Sequence, residues 1–234
     1  MIAPARNERG KIEVLAARVP YDIIDTFLVI DDGSTDGAGE MAAKEGATLL
    51  RHPRPMGVGI SIRDGYVYAL EHGFDIAVVI AGNNKDDPNE VTRLLDPICD
   101  EDCDFVMGSR YLPGGAYGGD MPLYRVFATK FVHPFVVRML TGRPVTETSN
   151  GYRALKASVL TDPRIDIKQA WLKDYQLEMY LLMKVMKLRD LRATEVPVSK
   201  IYPPRSIGNT KMTPIIGWWK MLYPLFLVGL GFRK

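Results

Sequence analysis

Over its first 108 residues the chain alternates short apolar runs with helix-spaced segments, and this alternation constrains the fold more than any other feature. Residues 26–30, 47–51, 76–80 and 105–107 are rich in Val, Ile, Leu or Phe and are bounded by Gly, Asp or Pro, as buried strands are. Between them, 11–19, 38–45, 60–71 and 90–98 carry apolar residues at helical spacing, and a stub of a first strand precedes Pro4. Strand and helix in alternation build βαβ units. Parallel neighbours cannot be joined by a tight turn, so the helices must cross over and cover a mainly parallel α/β sheet. Ligands on such sheets bind at the carboxyl ends of the strands, which directs attention to the loops that follow them.

Those loops are polar. The first strand ends in Pro4-Ala5-Arg6-Asn7-Glu8 and the second in Asp31-Asp32-Gly33-Ser34-Thr35-Asp36. The fourth ends in Ala81-Gly82-Asn83-Asn84-Lys85-Asp86-Asp87-Pro88 and the fifth in Gly108-Ser109-Arg110. Singly, each has a plainer reading: Ser34 or Asp36 caps a helix, and Asp87-Pro88 starts one. Four such loops converging on one sheet edge imply a pocket. After Gly108 the alternation stops. The glycine-rich 112–121 is expected to be a long mobile loop of the kind that forms lids. An amphipathic helix is expected over 123–140, carrying Arg125, Lys130 and Arg138, and another over 175–186, where Met179, Met183 and Met186 sit at core spacing. A strand at 193–196 and the basic loop 203–211 follow.

Composition excludes several classes. Thirty basic against 28 acidic residues give a net charge of +2, too little for a nucleic-acid binder whose affinity rests on a basic excess. Hydrophobic residues at 47% and charged residues at 25% are ordinary globular values and exclude disorder. Cys99 and Cys103 have no further Cys or His nearby to complete a zinc set, and His52, His72 and His133 are scattered without ligand spacing. The opening residues lack a signal-peptide pattern, so a cytosolic location is expected.

Taken together, Pro-Ala-Arg-Asn-Glu at 4–8, Val-Ile-Asp-Asp-Gly-Ser-Thr-Asp at 29–36, Gly-Ser-Arg-Tyr at 108–111 and Ser-Asn-Gly-Tyr-Arg-Ala at 149–154 resemble family 2 glycosyltransferases, in their dolichyl-phosphate mannosyltransferase branch. The resemblance covers roughly 1–211 and rests on the order and spacing of several motifs. It implies a GT-A fold that moves a sugar from a UDP- or GDP-linked donor to a polyprenyl phosphate, with inversion, at the cytosolic face of a membrane. By that resemblance Glu8 and Asp32 accept hydrogen bonds from base and ribose, while Pro4, Ala5 and Arg6 line the base; Arg6 stands where the family more often has an aromatic residue. Arg110 and Arg125 would grip the acceptor phosphate, and Arg205 and Lys211 would close over donor and acceptor phosphates. Glu147 replaces the family's usual Asp. It could contact a sugar hydroxyl, coordinate a metal, or act as a base toward an alcohol acceptor.

The departure lies after the fourth strand. Where the family has Asp-Ala-Asp, then Gly or Leu, then Gln, this chain has Ala81-Gly82-Asn83-Asn84-Lys85. Both acidic ligands of Mg or Mn are missing and a cation stands in the place of the Gln. Either the metal is held weakly through Asn83, diphosphate oxygens, water and Asp86 or Asp87, or Lys85 supplies its charge. Two other functions stay open: transfer to a non-lipid glycan with Glu147, Asp86 or Asp87 as base, and a catalytically silent nucleotide-sugar-binding scaffold.

The end of the chain forms a second region. Residues 212–232 carry one charge, Lys220, and Pro214 and Pro224 divide them. Trp218, Trp219 and Tyr223 suit the headgroup layer and Arg233 and Lys234 would face anionic lipid, so 212–234 is expected to be an interfacial or re-entrant membrane segment and not a span.

Overall fold

A computed structural model describes residues 1–203 and 214–233, with the backbone alone for 214–218. Its centre is a seven-stranded sheet in the order β3-β2-β1-β4-β7-β5-β8, comprising β1 (Ile2–Ala5), β2 (Leu28–Asp31), β3 (Thr48–Arg51), β4 (Ile76–Val79), β5 (Phe105–Ser109), β7 (Arg153–Lys156) and β8 (Ala193–Pro197). All neighbours are parallel except β7, which runs antiparallel between β4 and β5. A parallel pair of its own joins β6 (Ala116–Gly119) to β9 (Ser199–Tyr202).

Both faces of the sheet are covered. Along β1, β2 and β5 successive side chains enter opposite cores: Ile2, Leu28, Ile30, Phe105 and Met107 on one face, Ala3, Ala5, Val29 and Val106 on the other. The second face is closed by α1 (Ile12–Ala16), α2 (Ala38–Lys44) and α4 (Val91–Cys99), the first by α3 (Val58–Glu71) and α8 (Gln176–Lys187). A side chain at Gly65 of α3 would collide with Ile2, so glycine there sets how closely that helix approaches the sheet. Met179, Met183 and Met186 are buried on α8, as their spacing requires.

Three expectations change. Residues 116–119 are not loop but strand β6, because Gly119, at φ 72°, lets the chain lie against the Tyr202 backbone where any side chain would clash. The helix expected over 123–140 is built in three pieces, α5 (Leu123–Phe127), a π turn (Ala128–Val132) and α6 (His133–Thr141), with α7 (Ala157–Thr161) following β7. The C-terminal α9 (Pro214–Gly229) packs on α8 and α6, and its Met221, Leu225 and Val228 belong to the main core. Its last carbonyls, of Val228 and Gly229, accept hydrogen bonds from Lys187 Nζ at 3.2 and 2.7 Å, and Lys220 pairs with Asp174 at 2.9 Å. One face of α9 thus packs into the domain, while its Trp219 and Phe226 stay exposed. No helix among the described residues is long and apolar enough to cross a membrane.

Candidate active site

The carboxyl ends of β1 and β2 are stitched together before any ligand is considered. Asn7, held at φ 50°, donates its amide to Ser34 Oγ at 3.0 Å and accepts the Thr35 amide on Oδ1 at 2.9 Å. Asp31 is fully buried and takes the Ser34 amide and Arg51 Nε. Asp32 faces the segment after β3: its carboxylate accepts the Met56 amide at 2.7 Å, the Gly57 amide at 3.0 Å and His52 Nδ1 at 2.9 Å. Burial works against the charged form, yet these three hydrogen bonds outweigh it and keep the carboxyl below its usual range. A nucleotide hydroxyl would have to share an oxygen already in use. His52, which had no visible role in the sequence, is buried between Asp32 and Asp64 and orients that carboxylate. Glu8 is buried and pairs with Lys11 at 2.8 Å, Ala5 is buried, and Arg6 is exposed at the rim.

After β4 the chain must turn close beside β1. Gly82 makes that possible, since a Cβ there would lie 2.7 Å from the Pro4 carbonyl oxygen. The following residues are gripped by β9: the Lys85 carbonyl accepts the Ile201 amide at 2.8 Å, and Asp86, buried, accepts Lys200 Nζ on both oxygens at 2.7 Å. Lys200 Nζ also reaches Asn150 Oδ1 at 3.0 Å. Asp87 receives Arg18 at 2.8 Å and caps the turn that follows it through the Asn89 amide. The Asn83 side-chain oxygen is buried with no hydrogen-bond partner among the described residues.

After β5 comes a buried ion pair. Arg110 Nε donates to Glu147 Oε2 at 2.6 Å, with 1% and 0% of the two side chains exposed. The second oxygen, Oε1, accepts the Thr148 and Ser149 amides and the Ser149 hydroxyl. Burial alone would lower the guanidinium's pKa, but the adjoining Glu147 carboxylate reverses this and fixes the charge. Both oxygens of Glu147 are therefore in use, Oε2 on Arg110 and Oε1 on its own loop, which leaves it poorly placed as a base or metal ligand.

These loops meet at Tyr202, a residue that the sequence reading passed over. Its hydroxyl accepts Arg110 Nη1 at 3.3 Å, Lys85 Nζ lies 4.4 Å from its ring centroid, and Arg125 of α5 lies 5.7 Å from it. The available signal was its position, an aromatic residue directly before the Pro-Pro-Arg that opens the basic loop. Arg205 and Lys211 lie outside the described residues. Burial first, then the charges of Lys200 and Arg125, press the Lys85 ammonium down to about 8.

From this cationic cluster α5, the π turn and α6 lead outward. Leu123, Phe127, Phe131, Phe135 and Met139, four residues apart, are between 55% and 85% exposed. On an ideal α-helix a four-residue step drifts by about 40°; the wider π turn takes back part of that drift and keeps the stripe together. Lys130 and Arg138 are exposed on the same element.

Residues 2–162 match the family model for glycosyl transferase family 2. This chain is a family 2 glycosyltransferase. Among relatives of the glycosyltransferase, polyprenol monophosphomannose synthase of Mycolicibacterium smegmatis is 28% identical over 220 residues, spanning 91% of this chain and 80% of that protein. Undecaprenyl-phosphate mannosyltransferase of Micrococcus luteus is 28% identical over 218 residues, 91% of this chain and 86% of its own. A UDP-N-acetylglucosamine--dolichyl-phosphate N-acetylglucosaminyltransferase of Methanococcus voltae is 25% identical over 248 residues, 99% of this chain and 96% of its own. The GT-A fold is seen in glucosyl-3-phosphoglycerate synthase of Mycobacterium tuberculosis, solved with Mn2+, uridine diphosphate and phosphoglyceric acid; it covers 100% of this chain and 78% of its own at a TM-score of 0.70 and 21% identity.

The donor atoms after β4 decide whether the glycosyltransferase can hold such an ion. Among the described residues no three His, Cys, Asp or Glu side chains are grouped to hold a metal ion. In the loop after β4, Asn83 contributes one amide oxygen, Asp86 is spent on Lys200 and Asp87 on Arg18, and Lys85 adds a positive charge. That set does not fit a divalent cation, which requires several oxygen ligands carrying negative charge.

Proposed function

We propose that this glycosyltransferase moves a sugar from a nucleoside diphosphate donor to a polyprenyl phosphate, with inversion, at the cytosolic face of a membrane. The observation that carries the reading is the junction of two features: the Arg110, Arg125 and Tyr202 cluster and, starting from the same helix, an exposed apolar stripe five side chains long. A phosphate on a lipid needs both at once. In the reaction an acceptor phosphate oxygen attacks the anomeric carbon from the side opposite the diphosphate. The bond from that carbon to the diphosphate oxygen breaks, its electron pair leaves with the nucleotide, and no proton has to be removed.

The paired carboxylates favour this acceptor over an alcohol. Glu147, Asp86 and Asp87, the three candidate bases, are each bonded to a cation: Arg110, Lys200 and Arg18. An acceptor that arrives anionic needs none of them. The names of the Mycolicibacterium, Micrococcus and Methanococcus relatives agree with a lipid phosphate acceptor. The phosphoglyceric acid in the Mycobacterium structure suggests a small phosphorylated acceptor as a second reading, but such an acceptor gives no use to the stripe. The bilayer contact is assigned to that stripe and to the exposed Trp219, Phe226, Leu230 and Phe232 of the C-terminal 212–234 segment. The test offers radiolabelled UDP- and GDP-sugars with undecaprenyl phosphate in vesicles, and separately with 3-phosphoglycerate. Label in the lipid phase supports the reading; label on phosphoglycerate alone overturns it.

A further inference from the structure

We propose that Lys85, seated on Tyr202, takes the place of the divalent cation, so that the glycosyltransferase binds its donor's diphosphate and releases it without a metal. The inference rests on the donor reading given above and adds the means by which the leaving group is held.

Charge is the first argument. In the pattern that the sequence resembles, two carboxylates and a divalent ion cancel, leaving the loop neutral toward the diphosphate. In this chain Ala81 and Asn83 are neutral and Lys85 carries one positive charge, so these three positions already present more positive charge than their metal-loaded counterparts, and the Asp86 and Asp87 that follow are paired with Lys200 and Arg18. A divalent ion added beside Lys85 would meet that ammonium and Arg125, with Asp86 and Asp87 held by Lys200 and Arg18 and the facing Glu8 held by Lys11. Geometry is the second. The Lys85 backbone is fixed by β9 through the Ile201 amide, and its ammonium is fixed over the Tyr202 ring, whose hydroxyl is bound to Arg110. One phenol thus sets the donor-side lysine against the arginine assigned to the acceptor phosphate. A charge positioned before the substrate arrives is the arrangement that stabilises charge developing on a leaving diphosphate oxygen. The third is the orphaned Asn83 oxygen, which can accept a hydroxyl of the donor in place of coordinating an ion.

As the bond between the anomeric carbon and the diphosphate breaks, the electron pair comes to rest on the β-phosphate oxygen and the Lys85 ammonium neutralises it. No proton and no electron is exchanged with the protein.

The experiment measures binding apart from transfer. UDP, GDP, UMP and GMP are titrated against the full chain by calorimetry, with excess EDTA and with Mn2+. The diphosphate that binds is expected to do so within about threefold in the two conditions, a difference below one charge-assisted contact. K85M is expected to lose on the order of thirtyfold in diphosphate affinity, the effect of removing one desolvated charge, while its monophosphate affinity changes little and K85R recovers most of the loss. Melting of ligand-free K85M no lower than that of the parent establishes that it folds; K85Q serves if it does not. The triple variant A81D/N83D/K85Q is expected to make binding depend on Mn2+. Binding that EDTA abolishes and Mn2+ restores overturns the proposal, as does wild-type affinity in both K85M and K85Q. Metal-free binding without transfer to undecaprenyl phosphate refutes the acceptor reading and leaves this one; metal-dependent transfer to that lipid does the reverse.

Discussion

Replacing Glu147 by Ala tests the centre of the site most directly. Arg110 and Glu147 meet at 2.6 Å with their side chains 1% and 0% exposed, so the deletion strands a guanidinium in the interior beside the neutral Tyr202 and Ser149 hydroxyls, the Met121 sulfur and the Tyr111 ring. Breaking a buried pair from one side costs about 3–5 kcal/mol. Glu147 also accepts two backbone amides and a hydroxyl, each of which loses its acceptor, so E147A belongs at the upper end, about 5 kcal/mol. For a chain of this size that corresponds to a melting temperature lower by about 10–20 °C. The companion R110M/E147L replaces both charges by apolar groups and is expected to cost less than either single change, since neither charge is then left buried alone. Urea unfolding of the parent, R110M, E147L and R110M/E147L gives the coupling. A loss under about 1 kcal/mol for E147A, or strict additivity in the double variant, would refute the buried pair and with it the assignment of Glu147 as the counter-ion of Arg110. Nucleotide binding, read below the melting transition, is expected to survive in R110K while transfer to lipid phosphate falls.

Other expectations follow from individual contacts. His52→Ala removes a hydrogen bond to the Asp32 carboxylate and is expected to cost about 1.5–3 kcal/mol in urea unfolding; a change near zero would mean that the Met56 and Gly57 amides hold Asp32 unaided. F127E/F135E alters exposed positions, so stability should stay within about 1 kcal/mol while sedimentation with anionic vesicles drops; unchanged sedimentation would remove the stripe from the membrane contact. Lys85 has a folded-state pKa of about 8, lowered from 10.5. Diphosphate affinity is therefore expected to be full below pH 8 and to fall as pH rises through it. Stability should move the other way, rising between pH 8 and 10.5, where the unfolded chain still binds the proton that the folded one has released. Affinity that stays flat through that window in the parent, or falls equally in K85R, would count against the lysine as the titrating group.

What the sequence made legible was local. Five of the sheet's strands, β8 among them, and the helices between the first four follow from period and flanking residues, and β1 as a stub, because each packs apolar side chains against both faces. β7 was not visible: Arg153-Ala154-Leu155-Lys156 looks half polar, and it becomes a central strand only because β4 and β5 leave an antiparallel slot between them. β6 was hidden likewise, as glycines that suggest mobility are needed where the chain meets the Tyr202 backbone. α9 looked like a tail because an apolar helix and a core helix share one composition, and only contact with α8 and α6 decides between them.

The site divides along the same line. Arg110 and Lys85 were found in loops that follow their own strands and Arg125 through the family resemblance, and the structure brings all three to Tyr202. What gives each acidic residue its role is a partner far along the chain: Lys200 lies 114 residues from Asp86, Arg18 lies 69 from Asp87, and Arg110 lies 37 from Glu147. Local pattern cannot show such pairs, so the three acids read as candidate bases or ligands when they are counter-ions. The correction bears on mechanism. A site whose nearby carboxylates already hold arginines and lysines has little left to offer a divalent ion or an alcohol proton, while Lys85 and Arg125 both lie against one phenol ring. Cations gathered at one ring suit the transfer proposed above, between two phosphate-bearing substrates.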